Sequence, residues 1–294
     1  MRKKRIISLL CAALLVLGTT GCSTSNQADT DAVNAALDKF CDCSSFSVVQ
    51  FTKIQETVAL DNEKQTYNTD IKMEMDLVTE PVAQMRTSTT AEVSCEGDRM
   101  EQFKVSYIVP ENGGYAEYFS DGVEWYKVYV ERDDALAGVD ANSVIGSFLP
   151  DNVAFGKVGD DTVDGAKTHH YEGKIGGEQL VSMLEAGGQL SSTAAMSANQ
   201  QALIKKNLVK DLDEVTVSVW VDEASGYPVR FELDMTEVLK DLEESIAKTL
   251  GNKSTDDQWD IAGYDISMTV SNFDAVEALV LPPEAADAQL YETE

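Results

Sequence analysis

Tyr67–Thr79, YNTDIKMEMDLVT, sets the reading of the whole chain. Ile71, Met73, Met75 and Leu77 alternate with Asp70, Lys72, Glu74 and Asp76. A period of two puts the apolar set on one face of a strand and the charged set on the other. A helical repeat of about 3.6 residues would mix the two sets on every side. Tyr67–Thr79 is therefore a strand with one dry face and one wet face, the habit of antiparallel sheets.

The same alternation continues outward from this strand. Phe46–Phe51 begins one before it, and Ala83–Ser94 is a Thr-rich one after it. Phe103, Val105, Tyr107 and Val109 alternate next. Tyr115–Ser120 and Val123–Val130 flank Asp121-Gly122, a hairpin signal. Val153–Val158 and Thr168–Ile175 pair as a second hairpin across a turn rich in Gly and Asp. Val215, Val217, Val219 and Val221 alternate with Thr216, Ser218 and Trp220. Val229, Phe231, Leu233 and Met235 alternate with Arg230, Glu232 and Asp234. Tyr264, Ile266, Met268 and Val270 share one face of a last long strand.

Helical spacing is confined to a few blocks. Thr30 or Asp31 can cap a helix whose stripe is Val33, Ala36, Leu37, Phe40 and Cys41. Asp133–Leu149, Glu178–Glu185, Asn199–Leu212 and Thr236–Leu250 read as further helical segments. The fold class is α+β: a strongly curved antiparallel β-sheet, an incomplete barrel, with helices covering the concave face. Such a trough encloses an apolar space.

Acids number 51 against 23 bases, a formal net charge of −28. Nucleic acid is excluded as a partner, because phosphate binding needs clustered Lys and Arg. Electrostatic adhesion to anionic lipid is excluded for the same reason. Four of the bases, Arg2, Lys3, Lys4 and Arg5, precede the apolar run Ile6–Leu17. A bilayer-spanning helix needs about 20 apolar residues, so this run reads as the core of an export signal. Gly18-Thr19-Thr20-Gly21-Cys22 follows it and resembles the bacterial lipobox, with Thr19 where that pattern prefers Leu. The resemblance implies diacylglycerol transfer to Cys22 and cleavage after Gly21. Residues 1–21 are then a lipoprotein signal peptide and 22–30 a lipidated tether. An acyl chain holds a protein to a bilayer by about 0.8 kcal/mol per buried CH₂, with no basic patch required.

Three cysteines remain beyond the tether, Cys41, Cys43 and Cys95. Export places them in an oxidising compartment, where Cys41 or Cys43 could bridge to Cys95. The alternative is three small buried apolar residues. Their spacing is not a zinc pattern. His169 and His170 are adjacent, point to opposite faces of a strand and cannot jointly hold a metal. Asp160-Asp161-Thr162-Val163-Asp164-Gly165 approaches a calcium loop, but Tyr171 falls where the bidentate carboxylate belongs, so it reads as a hairpin turn. Nucleophile-elbow, phosphate-loop, zinc-protease and dinucleotide motifs are missing. No catalytic residue, metal or cofactor is expected.

The order of parts resembles the LolA/LolB/LppX-type bacterial lipoproteins, particularly their uncharacterised Gram-positive branch. The pieces that carry the resemblance are the lipobox, the capped helix and the Met-bearing strand DIKMEMDLVT. YFSDGVEWYKVYV, VTVSVWVDEASGYPVRFELDMT and the tail SNFDAVEALVLPPEAADA complete it. It spans residues 31–288 as one LolA-like domain, leaving 289–294 as a tail. It implies a curved sheet with a helical lid that holds lipid or lipid-linked chains. The expected location is the outer face of the bacterial cytoplasmic membrane. Met73, Met75, Phe103, Tyr107, Phe231, Met235 and Met268 are the expected lining for a lipid or other amphiphile. The competing expectation is a structural or interaction lipoprotein of the envelope with a solid core.

Overall fold

A computed structural model of the chain describes residues 25–60, 63–131, 140–146, 148–186, 190, 196–251 and 259–291. The expected export signal and Cys22 lie outside these residues, as do 133–139 of the expected Asp133–Leu149 helical segment. Among the described residues, no helix is long and apolar enough to cross a membrane.

The first half is a helix followed by a meander. Helix α1 is Gln27–Cys41, and six strands follow: β1 (Ser45–Leu60), β2 (Glu63–Val78), β3 (Gln84–Cys95), β4 (Asp98–Glu111), β5 (Gly114–Ser120) and β6 (Trp125–Val130). Two of the reversals use paired residues with positive φ: Glu96 and Gly97 at 50° and 99°, and Asn112 and Gly113 at 53° and 85°. That conformation matches the right-handed twist of the flanking strands, and glycine adopts it without penalty. Helix α2 (Ala141–Gly146) leads to the hairpin of β7 (Phe155–Val163) and β8 (Ala166–Ile175). Its turn is Asp164-Gly165, at φ 50° and 86°, so the near-calcium loop is a hairpin turn. Helices α3 (Glu178–Ala186) and α4 (Ala198–Asp211) precede β9 (Val215–Asp222) and β10 (Pro228–Asp234). Helix α5 (Thr236–Thr249) connects to β11 (Trp259–Ser271), and a 3₁₀ turn, Pro283–Asp287, to the short β12 (Gln289–Leu290).

All twelve strands form one open sheet in the order β12-β6-β5-β4-β3-β2-β1-β11-β10-β9-β8-β7. Every pairing is antiparallel except β12 with β6, which is parallel. The strand first and the strand last in the main body, β1 and β11, meet at its middle. β1 and β2 run further than alternation alone suggests, from Ser45 to Leu60 and from Glu63 to Val78. Pairing on both sides carries polar residues such as Gln55 and Asn68 into the ladder.

The helices pack on one face of this sheet. Phe46, Val48, Leu77, Phe231, Met268 and Val270 are buried there with Val33, Ala36 and Phe40 of α1. Leu180 and Leu184 of α3, Ile204 and Leu208 of α4, and Val238 and Leu242 of α5 join the same core. The other face has its own small core at the far end. There Val109, Ala116 and Tyr118 are covered by Ala285, with Tyr107, Trp125 and Leu281 packed around them. The tail after β11 thus crosses to the face opposite the helices. The Leu279 amide donates to Gln84 Oε1 at 2.8 Å on the way.

One expectation needs correction, and of the two readings left open for the cysteines the structure takes the unbridged one. Helix α1 starts at Gln27, not after Thr30 or Asp31, because Asn26 caps it: its side chain accepts from the Asp29 amide at 2.9 Å. The Thr30 hydroxyl instead accepts from the Phe155 amide at 2.9 Å, anchoring the helix to β7. Cys41, Cys43 and Cys95 are all free. Cys95 ends β3 opposite Tyr67, whereas Met85, near the start of that strand, lies opposite Leu77 beside the main core. Ten residues of strand separate Met85 from Cys95, about 33 Å, far beyond disulfide reach.

Candidate functional site

Registered partners in a sheet share a face, so the pairing fixes where each expected lining residue points. Met75 lies opposite Val48 and Thr87, and Met73 opposite Gln50 and Thr89. Both are on the helix side. Phe231 and Met268 are direct partners on that same side. Met235 follows β10 and is buried beside them. Phe103 lies opposite Thr90, which lies opposite Lys72, so Phe103 is on the other face. Tyr107 lies opposite Arg86, which pairs with Asp76, and takes that same side.

The structure thus divides the seven residues three ways. Phe231, Met235 and Met268 are fully packed, at 0%, 3% and 2% exposure. Met73 and Met75 are half-buried at the margin of the main core. Phe103, 41% exposed, and Tyr107 belong to the opposite surface. There the Tyr107 hydroxyl takes a hydrogen bond from Arg86 Nε at 3.3 Å, and Arg86 pairs with Asp76 at 3.2 Å. Alternation within each strand was read from the sequence, but the phase between strands follows from register, which single-strand patterns do not carry.

Past the core, the helix-side face continues along the long arms of β1–β3. Met75 and Met85 still pack against the buried cluster. Beyond them the face carries Met73, Ile71 and Ile54, then Ala91 and Val93, interleaved with Thr52, Thr87 and Thr89. Apart from buried Thr52, these side chains are half-buried. The face continues the core with aliphatic, thioether and hydroxyl side chains, Gln50 lies opposite Met73, and Glu56, Gln102 and Lys104 bound it. Its reverse side is charged: Lys72 pairs with Glu74 at 2.7 Å, and the Lys72 ammonium lies 6.0 Å from the Phe51 ring. Ile54, Ile71, Ala91 and Val93 were not singled out from sequence. Ile71 was visible in the alternation around Met73, whereas Ala91 and Val93 sit in a strand that reads as polar.

Clefts also sit elsewhere among the described residues. One, about 260 Å³, lies between α1 and the 149–155 segment and is lined by Leu37, Cys41, Asn142, Leu149 and Phe155 among others. Another, about 460 Å³, lies on the reverse face, among Phe51, Lys53, Arg230, Glu232 and Asp265.

No protein-family model matches the chain, and no curated protein matches it. Among solved structures it is similar to LprF from Mycobacterium bovis and to the lipoprotein LppX from Mycobacterium tuberculosis. LprF is 12% identical, with 88% of this chain and 99% of that one covered and a TM-score of 0.42. LppX is also 12% identical, with 86% and 99% covered and a TM-score of 0.40. A LolA superfamily protein from Nitrosomonas europaea is 10% identical, with 87% and 96% covered and a TM-score of 0.20. These neighbours are of the kind the order of parts resembles.

Proposed function

We propose that this chain is a non-enzymatic lipoprotein, anchored through Cys22 to the outer face of a bacterial cytoplasmic membrane, that binds a lipid or similar amphiphile. The observation that carries the reading is the helix-side face of β1–β3, where Met73, Ile71 and Ile54 prolong the core without being packed into it. Flexible thioethers beside branched aliphatics adapt to acyl chains of varied shape, and the threonines supply hydroxyls for a polar end. Curvature of the twelve-stranded sheet would make this face the inside of a trough. The 31–288 segment acts as one domain in this reading, with 22–30 as its tether.

Native mass spectrometry with phosphatidylglycerol supplied from vesicles tests the binding. The parent should carry lipid adducts, and an Ile71→Asp/Met73→Asp variant with unchanged circular dichroism should lose them. Absence of adducts on the parent, or equal adducts on the variant, overturns the lipid reading. Fractionation of Cys22→Ala tests the anchor separately: it should leave the membrane fraction.

One observation favours a second reading, an envelope interaction protein with a solid interior. Phe40, Phe46 and Phe231 are completely buried, so the space between helices and sheet is filled at these positions. In that case the Ile71/Met73 face would bind protein, and the lipid adducts would be missing from the parent as well.

A further inference from the structure

Three metal-ligating side chains converge near the β7 edge of the sheet, away from the apolar face. Asp160 and His169 are direct cross-strand partners on β7 and β8. His169 is also opposite Val221 of β9, and the Glu223 amide donates to the Lys167 carbonyl at 2.9 Å. That bond brings the start of the β9–β10 turn to the pair. His169 Nδ1 is 2.8 Å from Asp160 Oδ1 and 3.6 Å from Glu223 Oε1. One ligand atom from each of the three residues lies within 4.8 Å of the others.

The arrangement depends on a β-bulge. Register shifts in β7 between Lys157 and Gly159, and the extra residue resets the phase. Lys157 and Asp160 therefore share a face that a three-residue spacing in a regular strand would deny them. The Lys157 ammonium sits 2.7 Å from Asp160 Oδ1 and 2.9 Å from His169 Nδ1. A positive centre is thus already held between a carboxylate and an imidazole nitrogen, with a second carboxylate alongside. An ammonium needs only oxygen acceptors. One imidazole nitrogen with two carboxylates is instead the donor set of a borderline divalent ion such as Zn²⁺, and not of Ca²⁺ or Mg²⁺. Tetrahedral zinc bonds of about 2.0–2.1 Å place ligand atoms about 3.4 Å apart, between the two separations found here.

We propose that Asp160, His169 and Glu223 form a binding site for a zinc-type divalent metal ion, with Lys157 as the resident cation that the metal displaces. The ion would tie the β7–β8 hairpin to the β9–β10 turn. A fourth position stays open to water or another donor. Sequence spacing concealed the site, because each ligand comes from a different strand or turn and His170, the adjacent histidine, points the other way.

Calorimetric titration of the purified full-length protein with ZnCl₂ tests the assignment. Zinc affinity should fall by about tenfold or more in His169→Ala, as expected when a metal site loses a supporting group. Lys157→Ala, which removes the competitor, should bind zinc more tightly than the parent. Mg²⁺ binding to surface carboxylates should not respond to His169→Ala, and zinc should raise the melting temperature of the parent but not of that variant. Zinc binding by the parent no tighter than by His169→Ala overturns the proposal and leaves the cluster as an ion-pair set closed by Lys157. Should His169→Ala fail to fold, Lys157→Ala decides alone: unchanged or weaker zinc binding overturns it.

Discussion

Gly173 lacks a side chain where one would have no room. A Cβ there would lie 2.5 Å from Val153 Cγ1 and 2.9 Å from Phe155 Cε1, and Phe155 is almost fully buried. Gly173→Ala should therefore cost about 1–3 kcal/mol through overpacking, read as a lower urea midpoint. Asp274 shows the opposite kind of residue, an acid made structural by its donors. It accepts from the Ser44 amide at 2.7 Å and the Ser44 hydroxyl at 2.9 Å, with Tyr227 at 3.4 Å. The Ser44 bonds hold its carboxyl below the usual carboxylate range. A depressed pKa gives stability that is present above the unfolded-state value and is lost as pH falls through the folded one. Asp274→Asn should thus be less stable than the parent near neutral pH, and the gap should narrow below about pH 4. Urea midpoints at both pH values check it, and a constant gap would refute the ionic origin. Neither residue stands out in the sequence. The turn-prone Ser44-Ser45 and Asn272-Phe273-Asp274 become partners only through the β1–β11 pairing.

At the scale of elements, alternation located strands well and their mutual phase poorly. The strand around Met73 and those of Val215–Val221 and Val229–Leu233 stand where the pattern puts them. Phe103 and Tyr107 show what was hidden: their strand alternates, but the two-residue turn at Glu96-Gly97 sets which of its faces joins Met73. Helix starts were similarly ambiguous, since Asn26, Thr30 and Asp31 are all plausible caps by residue type. Packing decided, because Thr30 is occupied with β7. That contact is testable. Thr30→Val keeps the shape but leaves the Phe155 amide without its hydroxyl acceptor, at a cost of about 1–3 kcal/mol. Thermal or urea unfolding should show the loss, whereas Thr30→Ser should retain most of the stability.

For the whole molecule, the α+β class and the antiparallel sheet were legible from the period-two segments. The tail on the reverse face was not, because Ser271–Ala288 has little periodicity and finds its place by covering Val109, Ala116 and Tyr118. Cysteine pairing is also a global property. With Cys41, Cys43 and Cys95 free, all three should react with a thiol reagent when the chain is unfolded without reductant, and loss of reaction at Cys95 together with Cys41 or Cys43 would restore a bridge. The seam between β1 and β11 has a consequence for biogenesis. Ser47 must meet Ser271, so the centre of the sheet cannot close until nearly the whole polypeptide is available. Until then β1 presents an unsatisfied ladder, the kind of surface that recruits other chains into aggregates. A product truncated before Trp259 should therefore be insoluble or degraded, so that only chains carrying both halves of the seam reach the folded state.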